Sequence, residues 1–125
     1  MLPVINAHSP AGAASRQMIH FGQVIRTMLF RRFDHGIAGN MARYGTTFPP
    51  LYNLLRVTTP THLYYGMNDW LVTPVDTGLL SSGLPNLRFF YMVPHVLWNH
   101  MDFVWGTNAR TLVYQPMLNR MRNFS

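Results

Sequence analysis

Tyr65-Gly66-Met67-Asn68-Asp69-Trp70 places an acid in a turn, and the reading of that turn decides the fold. Val57 to Pro60 leads into His62-Leu63-Tyr64-Tyr65, a short β-prone run that Gly66 ends. We read it as a buried parallel strand, with Met67-Asn68-Asp69 beyond its carboxyl end, where functional groups gather in open α/β sheets. Downstream, Pro74 starts a helix as a first-turn residue, with Thr73 as a weak cap; the helix runs to about Ser82 and Gly83 stops it. Leu87 to Val93 is the next strand. Pro94 interrupts it, and a loop from His95 to Met101 follows. Asn108-Ala109-Arg110 opens a last helix to about Met121, with Leu112, Val113, Met117, Leu118 and Met121 on one face. Pro116 inside that helix implies a kink or an early break. Strand, helix, strand, helix is a βαβα unit of a parallel sheet, so the class is α/β.

Upstream of this unit the character changes. Met1 to Ile5 reads as an extended lead-in, and Asn6 to Ala13 as a turn-rich stretch. Ser15 stands as an N-cap before an amphipathic helix, Ser15 to Phe30, with Met18, Phe21, Gly22, Ile25, Met28 and Leu29 at spacings of three and four. Core packing is the favoured reading of that stripe, over contact with lipid. Arg31-Arg32 suits the helix C-terminus and Gly36 can close it. Gly36 to Pro50 reads as an irregular connection, and Pro49-Pro50 as the boundary between two regions, 1–48 and 49–125.

The totals narrow the function classes. With 48% apolar and 11% charged residues, the 125-residue chain is too apolar for disorder. It is also short of surface charge for a free-standing domain, as a piece cut from a larger fold would be. All ten cations are Arg and all four anions are Asp, for a net charge of +6. The arginines scatter from Arg16 to Arg122 without an interleaved basic-aromatic run, so nucleic acid is not an expected partner. Cysteine is absent, which excludes disulfides and thiolate metal ligands. Met1 to His8 lacks the n- and h-regions of a signal peptide, and no apolar run suits a transmembrane segment. A sequon, Asn123-Phe124-Ser125, stands at the end of the sequence.

Asp69 and His100 are the candidate catalytic residues. They lie 31 residues apart, and one helix plus one strand fit between them, so both fall at the same sheet edge. An acid followed by a histidine after successive strands is the order in which an α/β-hydrolase carries its triad after the Ser. Such chemistry needs a His that takes a proton from a Ser hydroxyl and returns it to the leaving alcohol. It also needs a carboxylate that sets the imidazole tautomer. The blander readings are an Asx-turn or helix-cap role for Asp69 and a surface role for His100. A metal site drawn from His62, His95, His100 and Asp69 or Asp102 lacks a paired-His helix motif, and no metal or other cofactor is expected.

Six segments carry a resemblance: His8-Ser9-Pro10-Ala11-Gly12-Ala13, Pro49-Pro50-Leu51-Tyr52-Asn53-Leu54, Tyr65-Gly66-Met67-Asn68-Asp69-Trp70-Leu71, Val75-Asp76-Thr77, Leu84-Pro85-Asn86-Leu87 and Trp98-Asn99-His100-Met101-Asp102-Phe103-Val104-Trp105. In this order they resemble the C-terminal part of the gastric and lysosomal acid lipase family, which includes many secreted insect lipases. Two departures are mild: Met101 stands for Leu, and Val75-Asp76-Thr77 keeps part of the usual Asp-Val pairing. The resemblance implies the end of a helical cap at 1–48 and the C-terminal part of an α/β-hydrolase core at 49–125. It implies Asp69 as triad acid and His100 as triad base. It further implies a secreted or lysosomal enzyme that hydrolyses esters of neutral lipids, triacylglycerols or cholesteryl esters, at a lipid-water interface. Asp102 is the rival acid, read as ordering the His loop with Asn99.

No Gly-x-Ser-x-Gly occurs, and none of Ser9, Ser15, Ser81, Ser82 and Ser125 stands in an elbow. The nucleophile Ser and the N-terminal half of the hydrolase domain are therefore expected outside this chain, which by itself should lack lipase activity. The alternative is a truncated, non-catalytic product that binds lipid surfaces or a protein partner through its apolar, arginine-bearing face.

Overall fold

The computed structural model describes residues 12–122 together with Pro3, Val4 and Ala7. The lead-in Met1 to Ile5 and the His8 to Ala11 part of the first motif lie largely outside the described residues, as does the sequon at Asn123. The chain divides into two compact units, Met1–Tyr52 and Asn53–Ser125.

In the first unit, α1 spans Ser15–Thr27. Ser15 is its first helical residue rather than the expected cap, a place taken by Ala14 in extended backbone without a side-chain bond. The helix ends three residues before the expected Phe30. Met28 turns into the left-handed region at φ 52° and its N–H closes on the Val24 carbonyl at 2.8 Å.

The orientation of α1 overturns the core-packing expectation. Its polar side faces the unit. His20 Nε2 donates to the Arg31 carbonyl at 2.9 Å, and Gln23 both donates to the Asp34 carbonyl and accepts the Asp34 N–H. Arg16 lies 4.6 Å from the Phe33 ring centroid and donates to His35 Nε2 at 3.0 Å. Met18, Phe21 and Ile25 point away, 64%, 41% and 57% exposed, and no residue of α1 is buried. The physical reason is hydrogen bonding: the 31–35 segment presents the Arg31 and Asp34 backbone groups, which the polar face of α1 meets.

The stretch read as an irregular connection contains a second helix, α2, Gly36–Tyr44. Gly36 does not close α1; it opens α2 at φ +75°, its N–H on the Asp34 carboxylate at 2.9 Å. Asn40 holds this helix. It is 1% exposed, accepts the His35 N–H at 2.9 Å, and donates to Asp34 Oδ1 at 2.9 Å and to the Thr47 carbonyl at 3.0 Å. The Asn40 and Gly36 hydrogen bonds hold the Asp34 carboxyl below its usual value. Loss of water, with Arg43 and Arg16 nearby, lowers His35. Asn40→Ala should leave at least two of these groups unpaired, at about 1–3 kcal/mol each. The expected result is early melting of α2, read by hydrogen exchange at residues 36–44; native-like protection would contradict it.

The second unit begins with a 3-10 turn, Leu54–Arg56, started by the Asn53 carboxamide accepting the Leu55 N–H at 3.1 Å. Then come β1, Thr61–Tyr65; α3, Pro74–Gly83; and β2, Leu87–Met92. The strands pair in parallel, His62 opposite Phe89 through Tyr65 opposite Met92, as the strand-helix-strand pattern predicts. Thr73 is more than a weak cap: its hydroxyl accepts the Asp76 N–H and Asp76 accepts the Thr73 N–H, a full capping box. Expected as a buried strand, β1 is half-buried at every position, because the described sheet has two strands and one edge of each is open. In β2, Leu87, Phe89 and Tyr91 alternate inward, and Tyr64 meets Tyr91 at 5.4 Å.

Val93, Trp98, Ala109 and Val113 are the buried centre of this unit, with Tyr64, Tyr91, Phe103 and Leu112 around them. A single helical turn, α4, Asp102–Trp105, follows the His100 loop. The last helix, expected to kink or break early at Pro116, does not break there: a π-helical stretch, Arg110–Tyr114, continues as α5, Gln115–Arg122. Pro116 has no N–H for the Leu112 carbonyl, and the Tyr91 phenol donates to that carbonyl at 3.1 Å. Among the described residues no helix is long and apolar enough to cross a membrane.

Candidate active site

At the carboxyl end of β1 the chain turns at Gly66, and the Asp69 carboxylate folds back into the unit, 5% exposed. Its Oδ1 accepts the N–H groups of Leu71 and Val72, both at 2.9 Å. This is an Asx-type turn, so the bland reading of Asp69 is satisfied by one oxygen alone. The second oxygen is left over. Oδ2 lies 3.0 Å from His100 Nδ1.

His100 reaches it from beyond β2. The Val93 N–H bonds to the Tyr65 carbonyl at 2.9 Å and extends the strand ladder by one rung. Thereafter the loop is held by its own polar groups. Asn99 N–H donates to Asp102 Oδ2 at 2.9 Å, and Met101 N–H donates to the Asn99 side chain at 2.9 Å. Asp102 and Asn99 therefore flank His100 with hydrogen bonds that shape its loop, the ordering role read for them in the sequence. The His100 side chain is 48% exposed, whereas Asp69 beside it is buried. A carboxylate on Nδ1 favours the tautomer with the proton there. Nε2 then carries a lone pair.

A cavity of about 340 Å³ opens beside the pair. Tyr64, Tyr65, Val72, Phe103 and Trp105 give it mostly apolar walls. Burial raises the Tyr64 phenol above its ordinary value. Chemically, the arrangement offers a base with an oriented ring, a buried carboxylate behind it, and apolar surface in front.

The other candidates fall elsewhere. Ser81 and Ser82 donate to the Gly78 and Leu79 carbonyls within α3. Ser15 opens α1, and Ser9 and Ser125 lie outside the described residues. His62 sets its ring edge against Phe89 at 5.8 Å, and His95 against Trp98 at 6.2 Å. Among the described residues, no three His or Asp side chains gather as a metal site. Sequence reading placed Gly66 and Trp98 in the two motifs, Gly66 as a strand end, and paired neither with the other. The close approach between them is a contact 32 residues long, for which local spacing carries no signal.

No protein-family model matches the chain. Curated relatives do. The chain is 43% identical over 124 residues to Lipase 3 of Drosophila melanogaster, with 99% of this chain and 32% of the relative covered. Lipase member N of Mus musculus is 39% identical over 124 residues, covering 98% of this chain and 30% of the relative. Lysosomal acid lipase/cholesteryl ester hydrolase of Homo sapiens is 35% identical over 122 residues, covering 97% and 30%. The chain thus spans about a third of the length of the curated relatives it matches.

Proposed function

From a chain related over nearly its whole length to the lysosomal acid lipases and their insect relatives, we propose the C-terminal part of a serine ester hydrolase. Its substrates are neutral lipid esters, triacylglycerols or cholesteryl esters, met at a lipid-water interface in a lysosomal or extracellular setting. The observation that carries the proposal is the 3.0 Å contact between His100 Nδ1 and the buried Asp69 carboxylate. In this reading residues 49–125 belong to an α/β-hydrolase core and residues 1–48 to the end of its cap.

His100 Nε2 removes the hydroxyl proton of a Ser from the part of the protein outside this chain. The Ser oxygen adds to the ester carbonyl, and the imidazolium, stabilised by Asp69, returns the proton to the departing alcohol. A water molecule, deprotonated by the same nitrogen, then releases the acid and frees the Ser. The 125 residues alone contribute acid and base but no nucleophile, and hydrolyse no ester. The test is to express the longest reading frame that contains these residues and follow p-nitrophenyl ester and triolein hydrolysis. Turnover lost in His100→Ala supports the proposal, and turnover retained in that variant overturns it.

One observation favours a second reading. The outward stripe Met18, Phe21, Ile25 of α1 suits a lipid surface, with the exposed Arg26 on the same helix. The 125-residue chain should then sediment with phosphatidylserine-phosphatidylcholine vesicles, less so in high salt. Absence of sedimentation at every ionic strength removes this reading.

A further inference from the structure

Asp69 and His100 sit on two separate turns, and their 3.0 Å contact depends on how those turns are held together. Three contacts do the holding, all one or a few residues from the pair. Asn68 N–H donates to the Trp98 carbonyl at 3.0 Å. The Asn68 carboxamide donates to the Leu97 carbonyl at 3.3 Å, and within its own turn it is steadied by accepting the Trp70 indole N–H at 3.2 Å. Gly66, buried at the end of β1, lies directly under the Trp98 peptide. A Cβ at Gly66 would stand 2.3 Å from the Trp98 carbonyl oxygen and 3.0 Å from its carbonyl carbon.

The obstacle at Gly66 is backbone, so it cannot rotate aside. The Trp98 ring cannot retreat either: it is 3% exposed, and its far side fills the space beside Gly106, where a Cβ would stand 2.9 Å from it. A methyl group at position 66 therefore moves the loop of His100 relative to the turn of Asp69. The displacement is at least about 0.7 Å if the carbonyl is to recover even a 3.0 Å contact.

We propose that Gly66 and Asn68 are positioning residues for the Asp69–His100 pair: they clasp the acid turn to the base loop and set the distance between the two side chains. The proposal rests on the hydrolase reading above. Gly66 acts through Trp98, and Asn68 through Trp98 and Leu97.

In the full-length enzyme, Gly66→Ala should lower kcat about 100-fold and Asn68→Ala about 10-fold, with KM within about twofold, as expected when geometry rather than binding is lost. Gly78→Ala, at an α3 glycine with open space around it, should leave both constants unchanged. The second readout is the 15N spectrum of the imidazoles. His100 should be in the Nδ1–H tautomer in the parent, and should drift towards a mixture in Asn68→Ala while the melting midpoint stays within a few degrees. If Gly66→Ala fails to fold, Asn68→Ala decides. Parent-like kcat and an unshifted His100 spectrum in Asn68→Ala overturn the clasp. His100→Ala separates the two ideas. A fully active His100→Ala enzyme removes the hydrolase reading itself. An inactive one beside parent-like Gly66→Ala and Asn68→Ala enzymes removes only the clasp.

Discussion

Alanine at His100 is expected to lower kcat for ester hydrolysis in the full-length enzyme by about 10,000-fold or more, with KM nearly unchanged. The magnitude follows from the role proposed for it: without the imidazole, that reading leaves no group to take the Ser proton or to protonate the leaving alcohol. Asp69→Asn should lose a similar factor for a different reason. The amide keeps an oxygen for the Leu71 and Val72 N–H groups, so the turn survives. Its NH2 facing His100 then favours the wrong tautomer. Asparagine is the cleaner substitution, since Asp69→Ala would also leave those two N–H groups without an acceptor. Asp102→Asn is the control. Asp102 accepts from the Asn99 backbone and not from His100, so the loss should stay below about tenfold. A larger loss in Asp102→Asn than in Asp69→Asn would reverse the two assignments. Stopped-flow or steady-state hydrolysis of a soluble ester measures all three.

The largest expected effect on stability is Trp98→Ala, at about 3–5 kcal/mol. The indole is 3% exposed, meets Phe103 edge-on at 5.9 Å, and stands among Val93, Ala109 and Val113. Its removal empties the middle of the only buried apolar cluster among the described residues and withdraws the wall against which Gly66 and Gly106 are set. Trp98→Phe should cost much less, under about 2 kcal/mol. The indole N–H is buried with no hydrogen-bond partner among the described residues, so phenylalanine loses volume but also loses an unmet donor. Urea melts followed by circular dichroism give the order. Equal costs for Ala and Phe would mean that the indole nitrogen is not in fact idle.

The sequence by itself determined the order and direction of the second unit. Gly66, Pro74, Gly83 and Pro94 punctuate two short β-prone runs around a helix, and a crossover of that length makes the strands parallel. With the strands parallel, the residues after Tyr65 and after Val93 share one edge, so the proximity of Asp69 to His100 was legible before any coordinates. Such features are local or follow from connection length. Tertiary structure decided the rest, because the deciding contacts are non-local. Periodicity showed that α1 has two faces, but not that the 31–35 backbone would claim the polar one and turn Met18, Phe21 and Ile25 outward. A stretch with two glycines and an asparagine reads as a loop until Asn40 is seen bonded to Asp34, His35 and Thr47, which offsets its poor helix propensity. Pro116 announced a break, yet only the Tyr91 phenol, 21 residues away from Leu112, explains how the freed carbonyl is satisfied. In the same way Gly66 reads in sequence as a strand end, and only the Trp98 peptide lying against it shows why a side chain is excluded there.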